Sequence, residues 1–501
     1  MTSNVTINRL ETGVPGLDEI LGGGLPEFSF NLIAGSPGCG KTTLAHQIMF
    51  AQATPERPAL YFTVLGEPPL KMLRYQQQFE FFDSRAVNHS IHFIDLSDDA
   101  LAGNLDQVLR RIVEAVQRYS PALVFVDSFR SVMLTSETSG AAHNNSQQLF
   151  VQQLGMLMTS WQATTFLIGE YFSETDPNPV FTVADGLIWL RQSVLGNSMV
   201  RKMEVMKMRG QPTLPGLHTF RIGPAGLRVF APAPVPARIT LNGDRWDGLI
   251  PIPMDARLSL GVPNLDEMLG GGLPRGYSML IAGPSGSGKS MLASAFLAEG
   301  ARRGETGVIA AFEQQSKKLR TRVLADLIDS GKVGVVDSSA PDLSIDEILL
   351  LLLQEVHRLK ATRVVMDSLS GFELALAPTF REGFRESLAR MVAALSGAGV
   401  TVLMTSELED RYTDLRFSPY GTAFMTDAII VQRYIEVDSR LLRVMAVVKV
   451  RASNHSDDLR LYSIDDDGLR IGGRLRDHEG LLGGRPTRQD VLDAALPGNR
   501  D

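Results

Sequence analysis

The chain has 501 residues, 44% of them hydrophobic, and a formal net charge of −7. That length suits two to four domains with sizeable cores, and the acidic balance argues against a general basic surface for nucleic acid. The single cysteine excludes an intramolecular disulfide framework, and Met1–Val5 carries no basic region leading into an apolar stretch; with no apolar run of about 18 residues, the sequence reads as cytoplasmic with no membrane span.

Taken in order, the chain first shows Gly13-Val14-Pro15-Gly16-Leu17-Asp18-Glu19-Ile20-Leu21-Gly22-Gly23-Gly24-Leu25-Pro26. An apolar run, Asn31 to Ala34, then leads into Gly35-Ser36-Pro37-Gly38-Cys39-Gly40-Lys41-Thr42, a phosphate-binding loop of the form G-x-x-x-x-G-K-[ST]. The glycines let successive backbone N–H groups turn inward around an anion. The lysine reaches the outer phosphates, and the Thr42 hydroxyl binds Mg²⁺. Thr43 to Ala51 reads as a helix, with Thr43 still beside the nucleotide. Cys39 lies inside the loop, where the N–H groups are expected to lower its pKa.

Ala59 to Leu65 reads as an apolar strand and Asp106 to Tyr119 as a helix. Leu123-Val124-Phe125-Val126-Asp127 follows, a buried strand that delivers a carboxylate to the water shell of Mg²⁺ at its C-terminal end. Thr165 to Gly169 is a further strand, and Glu170 at its end is read either as a sensor of the γ-phosphate or as a plain solvated strand end. Met203 to Met208 and His218 to Ile222 close the half with β-structure. Ala231 to Ala237, with alternating prolines, is predicted to be a stiff, extended linker.

The pattern then repeats. The lead-in returns as Gly261-Val262-Pro263-Asn264-Leu265-Asp266-Glu267-Met268-Leu269-Gly270-Gly271-Gly272-Leu273-Pro274, and the loop as Gly283-Pro284-Ser285-Gly286-Ser287-Gly288-Lys289-Ser290, followed by Met291. Lead-in and lysines share one offset of 248, which means tandem duplication of a whole domain. Lys289 and Ser290 take the roles of Lys41 and Thr42; Val364-Val365-Met366-Asp367 repeats the acid-ended strand. Thr401 to Thr405, Val444 to Val450 and Leu459 to Tyr462 repeat the later strands, with Glu407 in the place of Glu170. Strands alternating with helices predict an α/β fold: two tandem, mostly parallel twisted sheets flanked by helices. The domains are expected at 1–245 and 246–472, with 473–501 a mobile tail carrying a short helix at Arg488 to Ala495.

With Lys207-Met208-Arg209-Gly210 and Thr426-Asp427-Ala428-Ile429-Ile430 added, the full set resembles the KaiC-like family of two-lobed, RecA-like P-loop ATPases. The resemblance covers about Arg9 to Ile471 and implies a homohexamer of two stacked rings, ATP at subunit interfaces and an unidentified regulatory protein partner. It implies that Lys207 and Arg209, and Lys449 and Arg451, reach a neighbouring subunit's nucleotide. Their alternate strand positions put both cations on one face, next to a phosphate, with a solvated charged strand face as the alternative.

The family carries two adjacent glutamates after the strand that follows the first helix, and there the sequence departs from it. The second lobe has Phe312-Glu313-Gln314-Gln315. In the first lobe the 248 offset sets Leu65 opposite Glu313; an offset of 246 sets Glu67 there and needs a two-residue length change upstream, and this second register is preferred. Glu313 and Glu67 are thus the candidate bases that activate water. The family's adjacent Ser-Thr phosphorylation pair falls on Ala423-Phe424, which makes autokinase activity doubtful; Thr422, Thr426 and Ser418 lie nearby. The predicted function is a nucleotide-dependent regulatory ATPase with slow turnover. The competing classes are a nucleic-acid motor of the same superfamily and a near-inactive nucleotide-binding scaffold.

Overall fold

The computed structural model describes residues 7–64, 69–101, 105–134, 141–173, 178–195, 198–232, 239–241, 244–246, 256–312, 322–337, 343–381, 383–408, 425–437, 439–465, 468–474, 478–479 and 487–488. The chain divides into two compact units, Met1–Pro232 and Ala233–Asp501, and the division falls within the proline-rich stretch. Residues 233–238 of the predicted linker lie outside the described residues.

In the first unit the main strands are β1 (Phe30–Gly35), β2 (Ala59–Thr63), β3 (Ile91–Asp95), β4 (Leu123–Asp127), β5 (Thr164–Glu170), β6 (Gly186–Leu195), β7 (Ser198–Met208), β8 (Leu217–Gly223) and β9 (Gly226–Phe230). They form one sheet in the order β9-β8-β7-β6-β1-β5-β4-β2-β3. Strands β1 to β6 run parallel, and β6 to β9 continue as antiparallel neighbours. Both faces of the parallel part are covered, which is why its strands read as nearly continuous apolar runs. Ile33 and Phe125 join one core, while Leu32, Ala34, Val124 and Val126 join the core on the other face. Helix α1 (Lys41–Gln52) follows the loop, and α2 (Leu105–Tyr119) buries Val108, Ile112, Ala115 and Val116 along one stripe.

The second unit repeats this arrangement with β10 (Ser278–Gly283), β11 (Gly307–Ala311), β12 (Val333–Asp337), β13 (Arg363–Asp367), β14 (Thr401–Glu407), β15 (Ala428–Val437), β16 (Arg440–Val450), β17 (Arg460–Asp465) and β18 (Gly468–Arg474). Its order is β12-β11-β13-β14-β10-β15-β16-β17-β18, the same as the first with each strand replaced by its counterpart. Helix α3 (Lys289–Arg302) follows the second loop. The last strand continues through Arg474, past the expected start of the tail at residue 473. A two-residue pair joins His478–Glu479 to Thr487–Arg488, so Arg488 closes a strand rather than opening a helix; residues 489–501 lie outside the described residues.

The repeated lead-in has a local cause. Asp18 accepts the backbone N–H of Thr12 at 3.0 Å, and Asp266 accepts that of Leu260 at 2.8 Å, pinning the preceding chain to the short helix. The following glycines turn with positive φ, and a Cβ at Gly24 or Gly272 would stand 2.5 or 2.6 Å from the carbonyl of Leu10 or Leu258.

Candidate functional site

Each loop strand, β1 or β10, feeds a loop that ends at the first turn of α1 or α3. Gly38 and Gly40 have φ of 74° and 107°, and Gly286 and Gly288 have 74° and 98°, so the two loops share one backbone path. Gly40 and Gly288 occupy the caps of their helices and, being glycines, offer the first-turn N–H groups no capping side chain. Those donors are the ones a phosphate takes at a helix N-terminus. Lys41 Nζ donates to the carbonyl of Ser36 at 2.8 Å; Lys289 Nζ donates to those of Gly283 and Pro284 at 2.9 and 2.8 Å. Both amines therefore stand at the mouth of their loops.

Strand order brings the acids alongside. The strand ending in Glu170 lies between the loop strand and the strand ending in Asp127. In the first lobe Gly38, Gly40, Lys41, Thr42, Thr43, Asp127, Ser128, Gly169, Glu170 and Ile222 line one cleft of about 270 Å³. Asp127 Oδ2 accepts the Thr42 hydroxyl at 2.8 Å and the Tyr61 hydroxyl at 2.7 Å. Burial raises the Asp127 pKa, and these two hydrogen bonds pull it back down. In the second lobe Asp367 Oδ1 accepts the hydroxyl of Thr405, and Ser290 is exposed at the start of α3. Both lobes carry a cis peptide after the aspartate, Asp127–Ser128 and Asp367–Ser368. In the first lobe one loop hydroxyl beside one carboxylate, with no larger acidic cage among the described residues, fits Mg²⁺ held mainly by phosphate oxygens and water.

Cys39 differs from the expectation. Its thiol is fully buried in the core and its pKa is raised by burial, against the pull of Lys41. The Lys41 amine stands 3.9 Å from its sulfur, and the N–H groups of Cys39 and Lys41 pull the pKa down as expected, but burial outweighs them.

The Lys-x-Arg pairs sit at the far end of the sheet. Met208 pairs with Gly186, which pairs with Asn31 at the start of β1, whereas the loop leaves from Gly35 at its end. Roughly 13 Å of strand separates the two levels, at about 3.3 Å per residue. Lys207 Nζ bonds the carbonyls of Phe181, Thr182 and Ala184, and Arg209 bonds Asp185 at 3.1 Å. Lys449 Nζ bonds the carbonyl of Thr426 at 2.6 Å, and Arg451 bonds Asp427 at 3.3 Å. The pKa of Lys207 and Lys449 is lowered by burial and then by the neighbouring arginine. Each pair is gathered on one side and turned away from its own lobe's loop.

Glu67 and Glu313 lie outside the described residues, as do Gln314, Gln315, Ser418, Thr422, Ala423 and Phe424. The register before them is visible. Val64 N–H donates to the carbonyl of Asp127 and Phe312 N–H to that of Asp367, so the 248 offset holds through both residues. The length change required by the 246 register does not occur before Val64.

Sequence reading missed Tyr61 and Thr405. The signal was a polar handle within an otherwise apolar buried strand beside the acid-bearing strand. Arg130 was missed as well: its guanidinium bonds the carbonyl of Glu170 and lies 5.3 and 5.8 Å from the ring centroids of Tyr171 and Phe172.

The model of the KaiC ATPase family matches this chain twice, over residues 10–233 and 258–476. Among similar proteins, the circadian clock oscillator protein KaiC of Rippkaea orientalis is 29% identical over 507 residues, covering 98% of this chain and 94% of that protein. The protein of the same name from Picosynechococcus is 28% identical over 497 residues, covering 96% of this chain and 93% of the relative. The circadian clock oscillator protein KaiC 1 of Synechocystis is 28% identical over 500 residues, covering 97% and 93%.

Proposed function

The chain belongs to the KaiC family of ATPases, and on that premise we propose that it binds Mg-ATP in both lobes and hydrolyses it slowly. We propose further that nucleotide assembles it into a homohexamer of two stacked rings, which signals to a protein partner in the cytoplasm by changing shape. The lobes are taken as 1–245 and 246–472, with 473–501 a tail. No helix among the described residues is long and apolar enough to cross a membrane.

The observation that carries this reading is the placement of charge at opposite ends of each sheet. The loop opens at the C-terminal end of β1 or β10, and the Lys-x-Arg pair is held at the N-terminal end. A phosphate bound at one end cannot meet the cations at the other end of the same lobe. A second subunit brings them together, so that ligand and assembly become linked by mass action. Within a site, the loop N–H groups and the lysine hold the phosphates, Thr42 or Ser290 and Asp127 or Asp367 hold the metal's shell, and Glu313 or Glu67 orients the attacking water and takes its proton. Mg²⁺, when bound, neutralises charge that develops on the phosphate oxygens.

Native mass spectrometry with ATP, with ADP and without nucleotide tests the reading. A hexamer carrying nucleotide in both lobes, formed only with nucleotide, is expected; a monomer under all three conditions overturns the assembly. The scaffold reading keeps one specific support: the 248 register through Val64 and Phe312 sets Leu65, not an acid, opposite Glu313. Turnover indistinguishable from that of Glu313→Gln would favour it.

A further inference from the structure

The two metal-facing aspartates are held from opposite flanks. Asp127 lies on β4 between β2 and β5, and Asp367 on β13 between β11 and β14. In the first lobe the holding hydroxyl is Tyr61, on β2, at 2.7 Å from Oδ2. On the other flank Ile168 of β5 pairs directly with Asp127. In the second lobe the hydroxyl is Thr405, on β14, and the residue aligned with Tyr61 on the other flank is Ile309 of β11. The 248 offset aligns Tyr61 with Ile309, and the strand ends Glu170 and Glu407 align Ile168 with Thr405. Hydroxyl and isoleucine have therefore changed places between the lobes.

We propose that Tyr61 in the first lobe and Thr405 in the second are positioning residues for the metal-facing carboxylate, each fixing its aspartate from the one flank where a hydroxyl stands. The proposal rests on the Mg-ATP reading above. The Tyr61 ring is itself held firmly in place, since His46 meets it at 4.6 Å between ring centroids, Phe93 at 5.4 Å and Phe125 at 5.9 Å. The phenol O–H donates to the carboxylate. A donor on one oxygen fixes the rotation of the carboxylate and satisfies a lone pair that would otherwise be buried without a partner. Outer partners of metal ligands typically change metal affinity by about 10–100-fold.

The test reads Mg²⁺ dependence of nucleotide retention, one lobe at a time. With Lys289→Ala silencing the second lobe, binding of a fluorescent ATP analogue is titrated with Mg²⁺. Tyr61→Phe is expected to raise the half-saturating Mg²⁺ about tenfold while leaving Mg²⁺-free nucleotide binding unchanged. Adding Ile168→Thr transplants the second lobe's arrangement and is expected to restore most of the loss. In the reciprocal background, Lys41→Ala, Thr405→Val carries the same expectation and does not depend on how the first lobe tolerates substitution. Unchanged Mg²⁺ half-saturation in both Tyr61→Phe and Thr405→Val, with nucleotide still bound, overturns the positioning role and leaves the ATP reading standing. Absence of Mg²⁺-dependent nucleotide binding in the unmodified protein overturns both.

Discussion

The two lobes share nine strands in one order and loops with matching backbone angles, yet their interiors are held by different chemistry. Behind the first loop lies an aromatic cluster: the Tyr61 ring centroid is 4.6, 5.4 and 5.9 Å from those of His46, Phe93 and Phe125, and Phe125 is 4.7 Å from Phe166. At the aligned places the second lobe has Ser294 and Ile309, and its polar groups are concentrated elsewhere. There Arg363, fully buried, donates to Glu305 at 2.7 Å and to the carbonyls of Ser259 and Phe296, while Arg275 meets the other oxygen of Glu305 at 2.5 Å. The first lobe has the same pair with the signs exchanged: Glu27 and Arg57, 3.2 Å apart, align with Arg275 and Glu305 through the 248 offset. Leu123 stands where Arg363 is. A duplicated fold thus keeps the backbone that makes the phosphate cradle and lets the supports behind it diverge, since several side-chain sets fill one cavity.

The largest expected effect concerns turnover. Glu313 is the residue after Phe312, whose N–H is tied to the carbonyl of Asp367. Glu313→Gln should remove most ATP hydrolysis, within the roughly 10²–10⁴-fold range of a lost general base. Glu67→Gln should remove a minor share, because the strands carry the 248 register up to Val64 and so favour Leu65 at the equivalent place. Steady-state phosphate release from the two variants measures the ranking; the reverse order would show that Glu67 reaches the water better.

Stability gives the next contrast. Glu305→Ala strips two arginines of their carboxylate, one of them fully buried, and should destabilise the second lobe by about 3–5 kcal/mol. Arg57→Ala breaks the aligned pair in the first lobe, where the arginine is half-exposed, and should cost no more than about 1 kcal/mol. Chemical denaturation followed lobe by lobe through hydrogen exchange separates the two; equal losses would erase the contrast between a buried pair and an exposed one.

Acid should separate the lobes as well. Burial lowers the pKa of His46 from 6.5 to about 4. Between those values the unfolded chain takes up a proton that the folded lobe refuses, so the first lobe loses stability as pH falls through this window, and the loss levels off below it. A gap of about 2.5 units corresponds to about 3 kcal/mol. In the second lobe, Glu299 is held down to about 2, first by its hydrogen bond from Arg302. Its contribution is complete above the usual glutamate pKa and fades only as pH falls from about 4.5 toward 2. The first lobe should therefore melt earlier on acidification, and His46→Leu should flatten its profile between pH 6.5 and 4. Melting curves across that range decide it.

Much of this architecture is legible in the sequence because the signals are local. Leu123 to Asp127 is a strand with the bounds that its apolar run predicts, and the glycine spacing alone announces both cradles. What escapes depends on distant partners. The strand of the second acid begins at Arg363, one residue before its apolar run, because Glu305, 58 positions away, makes a buried arginine tolerable. Tyr61 and Thr405 acquire a role only once the sheet order sets them beside an aspartate. Cys39 departs from its expected pKa because burial of its thiol outweighs the lysine and N–H groups beside it, and the spacing of residues does not tell how deeply a loop side chain is buried.

The smallest effect, a halving, tests whether the divergence behind the loops reaches the loops themselves. Lys41→Ala and Lys289→Ala each delete the amine at one loop mouth and leave the other lobe's core untouched. Sites that share no residues respond independently. Each variant should therefore lose about half of the bound nucleotide, and the double variant nearly all, as counted by native mass spectrometry. Their effects on assembly should differ. On the assembly proposed above, a first lobe whose base is misplaced would hold ATP for longer and so keep the ring closed. Lys41→Ala should then shift the assembly toward smaller species, and Lys289→Ala should leave most of it intact. If Lys41→Ala leaves the nucleotide count unchanged, the first lobe is not a binding site. If Lys289→Ala dissolves the ring instead, the second lobe is the one that holds the subunits together, and the division of labour inferred from Val64 and Phe312 runs the other way.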